Sequence, residues 1–123
     1  MIVDVHTHIW EHPAHISDGF IADARISAGN PNLQIAVDLD AHWAAMAPVD
    51  RAIVLGFRAG HVGVLVPNEY VAEYVGTHPE KLIGFCSVDP QDEDAVDQLD
   101  HAVRVLGLRG LKVAPIYQNV HPG

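Results

Sequence analysis

Ile2-Val3-Asp4-Val5-His6-Thr7-His8-Ile9 opens the chain as an apolar, β-branched run carrying two histidines two residues apart. Read as a strand, it alternates faces: Asp4, His6 and His8 fall on one side, Val3, Val5 and Thr7 on the other. Three further runs are similarly short and apolar or β-branched, Arg51–Phe57, Leu82–Val88 and Leu108–Val113. Between them lie helical repeats. Leu39, Trp43 and Met46 form one, with Asp38 or Asp40 as cap, and Tyr70, Val71, Tyr74 and Val75 form a second, stopped at His78-Pro79. Val96, Leu99, Val103 and Leu106 make the clearest stripe, followed by Gly107 as a helix stop. Strand alternating with helix predicts an α/β fold, a parallel sheet built by right-handed crossovers. The runs begin near residues 2, 51, 82 and 108, so the first interval is the longest. The excess places an insertion between His12 and Leu33, about residues 10–33, read as a loop over one end of the sheet.

The chemistry gathers on the same first run. Two histidines on one face of a strand have Cα atoms roughly 6–7 Å apart, within reach of a common ion at ~2.0–2.1 Å from each nitrogen. Neutral imidazole suits zinc, iron, nickel or copper, and zinc is the first expectation. Asp4, one step deeper, is placed to orient an imidazole from behind or to bind directly. The pair lies at the C-terminal end of its strand, where active sites of βα folds form. Arg58 and His61 follow the second run at that end, and His12 stands in the insertion. Lys112 sits in the apolar fourth run and reads in two ways. It is a lysine whose head escapes to water, or an inward cation for an anionic substrate that carbamylation would turn into a metal ligand. His42, His78 and His101 fall in or beside helices and read as surface residues.

Composition closes off other classes. Seven Lys and Arg against sixteen Asp and Glu give a formal net charge of −9, and the basic residues are scattered singly. That excludes an electrostatic groove for nucleic acid and a polybasic face for anionic lipid. Cys86 is alone, so no intrachain disulfide forms. The first residues lack a basic leader pattern, and no apolar run approaches the ~18 residues of a membrane span. The expectation is a cytoplasmic protein acting on a small molecule.

The run Ile2–Ile9 resembles the first-strand signature of the amidohydrolase superfamily of metal-dependent (β/α)8 barrels. Gly84-Phe85-Cys86-Ser87-Val88-Asp89-Pro90 resembles the third strand of its amidohydrolase-related branch, which includes the aminocarboxymuconate-semialdehyde decarboxylase-like enzymes. Leu106 to Asn119 resembles the fourth strand and its following loop. The resemblance implies a divalent metal at the barrel mouth, with His6 and His8 as the first two ligands. It implies a hydrolase, or a non-oxidative decarboxylase, of a small anionic or cyclic substrate. In that family the remaining ligands and the acid/base come from strands five, six and eight, which residues 1–123 do not reach. A full barrel takes about 250 residues, so the chain is expected to be a partial barrel domain, the N-terminal half with about four βα units. Alone it is expected to be inactive and to self-associate through open sheet edges, as a homo-oligomer. Two alternatives stand beside this. One is a non-catalytic half-barrel that only associates. The other is a polymerase-and-histidinol-phosphatase-type metal phosphoesterase, on the strength of Ser17-Asp18-Gly19 following the His-x-His.

Overall fold

The computed structural model describes residues 1–121 and 123. Four strands form one parallel sheet: β1 (Val3–His8), β2 (Arg51–Leu55), β5 (Leu82–Ser87) and β6 (Gly110–Lys112), in the order β1-β2-β5-β6. Two short strands, β3 (Phe57–Ala59) and β4 (Val64–Val66), make an antiparallel hairpin beyond β2. The helices are α1 (Asp18–Ala28), α2 (Leu39–Ala45), α3 (Asn68–Thr77), α4 (Ala95–Arg104) and α5 (Pro115–Gln118). Each main strand sits beside the next in sequence, so the sheet winds in one direction. It does not close on itself within these residues, and β1 and β6 are both edges.

One face of the sheet carries the core. Ala52, Val54, Leu82 and Cys86 are buried there together with Val71 and Tyr74 of α3. Gly84 is the point of closest approach. A Cβ on it would lie 2.5 Å from Leu108 Cδ2 and 3.1 Å from Val75 Cγ2, so only the smallest residue lets the α3 layer settle on the strand. The opposite face, with Ile53, Ile83 and Phe85, is only half-buried.

Three expectations change. The insertion over residues 10–33 is not a plain loop, because it holds α1. Ser17 caps the helix by accepting the Phe20 N–H, and Gly29 ends it in the left-handed conformation. The hairpin β3–β4 was not foreseen. It turns through Gly63, whose φ of +82° and 2.9 Å bond from Ser17 N to its carbonyl tie α1 to the hairpin. Only half of the α4 stripe packs: Leu99 and Leu106 sit against the core beside the buried Ala102, while Val96 and Val103 are 78% and 50% exposed.

The first strand is also less regular than alternation predicts. Val3 pairs with Arg51 and Asp4 with Ala52, but Thr7 pairs with Val54 and His8 with Leu55. β1 therefore spends three steps where β2 spends two, a β-bulge. In a parallel pair, matched residues share a face. Asp4 thus belongs with Ala52 and Leu82, the core row, and His8 with Leu55 and Phe85, the opposite row. Asp4 does not share the face of His8, contrary to strict alternation.

Candidate metal centre

His6 and His8 end β1 on the half-buried face, and their rings meet. The Nε2 atoms are 3.1 Å apart, with ring centroids at 5.1 Å in an edge arrangement. Two nitrogens bound to one zinc at ~2.0–2.1 Å are separated by about 3.3 Å in a tetrahedral site and about 2.9 Å in an octahedral one. The observed spacing fits an ion between them. Without one, a single proton is shared between two nitrogens that would otherwise repel.

The environment of His8 favours the neutral ring. Burial, and then the proximity of His6, lowers its pKa from 6.5 to about 4, with Lys112 adding to the effect. Its Nδ1 is buried with no hydrogen-bond partner among the described residues. An imidazole so disfavoured as a cation is neutral at neutral pH, the charge state in which a ring nitrogen binds a divalent ion. His8 is also held in place by aromatic rings. Trp10 stacks on it at 4.3 Å and 2° between planes, and Phe57 lies 5.8 Å away. Trp10 in turn is pinned by a mutual backbone pair with Val37 and by its Nε1–H donating to the Ile35 carbonyl at 2.6 Å.

Lys112 reaches the same mouth. It ends β6, and its Nζ lies 5.9 Å over the ring of Phe57, whose edge also meets Tyr117 at 5.6 Å. The structure thus gathers His6, His8 and Lys112 around a wall of Trp10, Phe57 and Tyr117. That aromatic wall was not read from the sequence. Its members lie on three separate segments, and only the tertiary fold brings them together.

The other expected residues are placed elsewhere. Asp4 accepts the backbone N–H of His6 at 3.1 Å through Oδ1, so it supports that histidine's main chain. Arg58 is engaged by Asp92, with Nε to Oδ2 at 2.7 Å, and this bond holds the Asp92 carboxyl below its ordinary pKa. His61 lies on the turn of the hairpin, in a cleft of about 380 Å³ lined with Arg58, Asp89 and Asp92. Neither His6 nor His8 lines that cleft. His12 Nε2 is 2.7 Å from Asp18 Oδ1 at the start of α1. Among the described residues, no group of three or more His, Cys, Asp and Glu converges as a metal site.

His42 overturns its expected surface position. It is buried between α3 and β1, with Nε2 2.9 Å from Thr7 Oγ1 and Nδ1 2.8 Å from Tyr74 Oη. Thr7 spends its hydroxyl proton on the Ile53 carbonyl at 2.8 Å. Toward His42 it can only accept, so His42 carries its proton on Nε2 and accepts the Tyr74 hydroxyl at Nδ1. Burial lowers the His42 pKa, which keeps the ring in this neutral form. The sequence signal was present but weak: a histidine on the Leu39/Trp43/Met46 helix, one position off its apolar stripe.

A family model described as Amidohydrolase matches residues 3–123. In fold, the chain is similar to the crystal structure of 4-oxalomesaconate hydratase from Rhodopseudomonas palustris, with a TM-score of 0.52 and 19% identity. The likeness covers 94% of this chain and 42% of that one, so the chain spans less than half the length of that neighbour. A comparison with curated proteins finds no match.

Proposed function

Since the chain belongs to the amidohydrolase family, we propose that His6 and His8 hold a divalent ion, zinc first, in a metal-dependent hydrolase or non-oxidative decarboxylase. The observation that carries this reading is the 3.1 Å approach of the two Nε2 atoms at the C-terminal end of β1. A divalent ion there supplies Lewis acidity, polarising a substrate oxygen or lowering the pKa of water. Two histidines are fewer than the three protein ligands a catalytic zinc usually takes, so groups beyond the described residues complete the donor set. Reading the chain as the N-terminal half of a barrel of the decarboxylase-like branch rests on the sequence resemblance alone.

The chain's own residues favour a small anionic or cyclic substrate. Lys112 presents a cation at the mouth, and Trp10, Phe57 and Tyr117 offer flat apolar surface beside it. Asp4 fixes the main chain of His6. Arg58, held by Asp92, and His61 line a separate cleft and act on substrate only if it extends there. His12 belongs to the start of α1 through Asp18. No helix among the described residues is long and apolar enough to cross a membrane, and a cytoplasmic setting is part of the proposal.

A second reading is favoured by the open sheet. Among the described residues β1 and β6 are the sheet's edges, and Val5 and Leu111 on them are 64% and 42% exposed, so on this reading the chain self-associates through these strands. The test of the first reading is a zinc titration of the chain and of its His6→Ala, His8→Ala double variant. Loss of at least about tenfold in affinity is expected in the variant. Equal affinity would remove the histidine pair from the site.

A further inference from the structure

Thr7 stands between the two histidines, but its side chain points the other way, into the core. There the bulge leaves the ladder between β1 and β2 irregular, and the Thr7 hydroxyl donates to the Ile53 carbonyl, a main-chain acceptor of β2. The hydroxyl therefore bridges the two strands at the point where regular pairing is interrupted. His42 Nε2–H donates to that same oxygen, and Tyr74 donates to His42 Nδ1. The result is a directed chain of hydrogen bonds, Tyr74 to His42 to Thr7 to Ile53, crossing from α3 through α2 to both strands. With the Thr7 hydroxyl donating to the strand carbonyl, the roles along the chain run in one direction, and the Tyr74 hydroxyl has the Leu39 carbonyl as a second, longer acceptor at 3.4 Å. A bulge re-aims the side chains next to it, and here those side chains are His6 and His8.

We propose that His42 is a positioning residue for the His6–His8 pair, acting through Thr7 to lock the bulge that sets the two imidazoles at ligand spacing. The proposal rests on reading that pair as metal ligands, and it adds a buried residue that touches neither ring. It assigns a role to a histidine that a core residue of ordinary shape would fill more simply. An apolar residue at 42 would leave the Thr7 oxygen without its donor and the Tyr74 hydroxyl with only its longer bond to the Leu39 carbonyl. Gln at 42 keeps an N–H near the place of Nε2, and Ser at 7 keeps the hydroxyl.

The experiment measures zinc affinity by chelator competition on His42→Leu, His42→Gln, Thr7→Val and Thr7→Ser. Thermal unfolding and imidazole nitrogen NMR are recorded on the same metal-free samples. His42→Leu and Thr7→Val are expected to weaken zinc binding about tenfold or more and to shift the His6 and His8 ring signals. His42→Gln and Thr7→Ser are expected to hold near the parent in both. If His42→Leu does not fold, Thr7→Val, nearly isosteric, carries the comparison. Variants that unfold at lower temperature yet keep the parent's zinc affinity and ring signals would overturn the proposal and leave the metal reading intact. A parent chain that binds no zinc would refute the metal reading, and the His6 and His8 ring signals would then decide the positioning role alone.

Discussion

Two histidines differ from their sequence reading in opposite ways. His8 was legible because its spacing from His6 on a strand needs only local geometry. His42 was not, because its burial depends on Thr7 and Tyr74, 35 and 32 residues away. Both have lowered pKa values, His8 to about 4 and His42 in the same direction, in each case first through burial. The sign follows from linkage: the unfolded chain takes up protons near pH 6.5 and the folded one resists until lower pH. Stability is full above about pH 6.5 and falls as pH drops toward about 4, a window that melting temperatures across pH 4–8 will test. A flat profile there would show both rings to be solvated. Tyr74→Phe removes the donor to His42 Nδ1 and leaves a buried acceptor, for an expected loss of about 1–3 kcal/mol in urea unfolding.

Among the elements, the main strands were readable because runs such as Arg51–Leu55 and Leu82–Ser87 are short, apolar and β-branched or aromatic. The hairpin β3–β4 was not. Its strands are three residues each, too short for a period to show, and its turn depends on Gly63 against α1. The bulge in β1 was hidden for another reason. Alternation assumes equal steps on both strands, and only the register with β2 reveals the extra residue. Helix α1 has few periodic apolar residues and buries none fully, so its caps rather than its faces define it. Gly63→Ala tests that junction. The added Cβ would meet Ser17 Oγ at 2.0 Å on a backbone with φ +82°, and the expected destabilisation is about 1–3 kcal/mol by chemical denaturation. A variant as stable as the parent would mean that α1 is not anchored there.

At the scale of the molecule, the strand order β1-β2-β5-β6 agrees with the singly wound series that the sequence rhythm predicts. Val5 and Leu111 on the edge strands and Val96 and Val103 on α4 leave apolar surface open. Light scattering at rising concentration is expected to give a mass above that of the 13.3 kDa chain, and a monomer at every concentration would remove the self-association reading. The central claim remains the histidine pair, and X-ray absorption at the zinc edge of the loaded chain tests it most directly. The account predicts at least two imidazole nitrogens at about 2.0–2.1 Å, both lost in the His6→Ala, His8→Ala variant. A zinc shell without imidazole, or one unchanged by that variant, would contradict it.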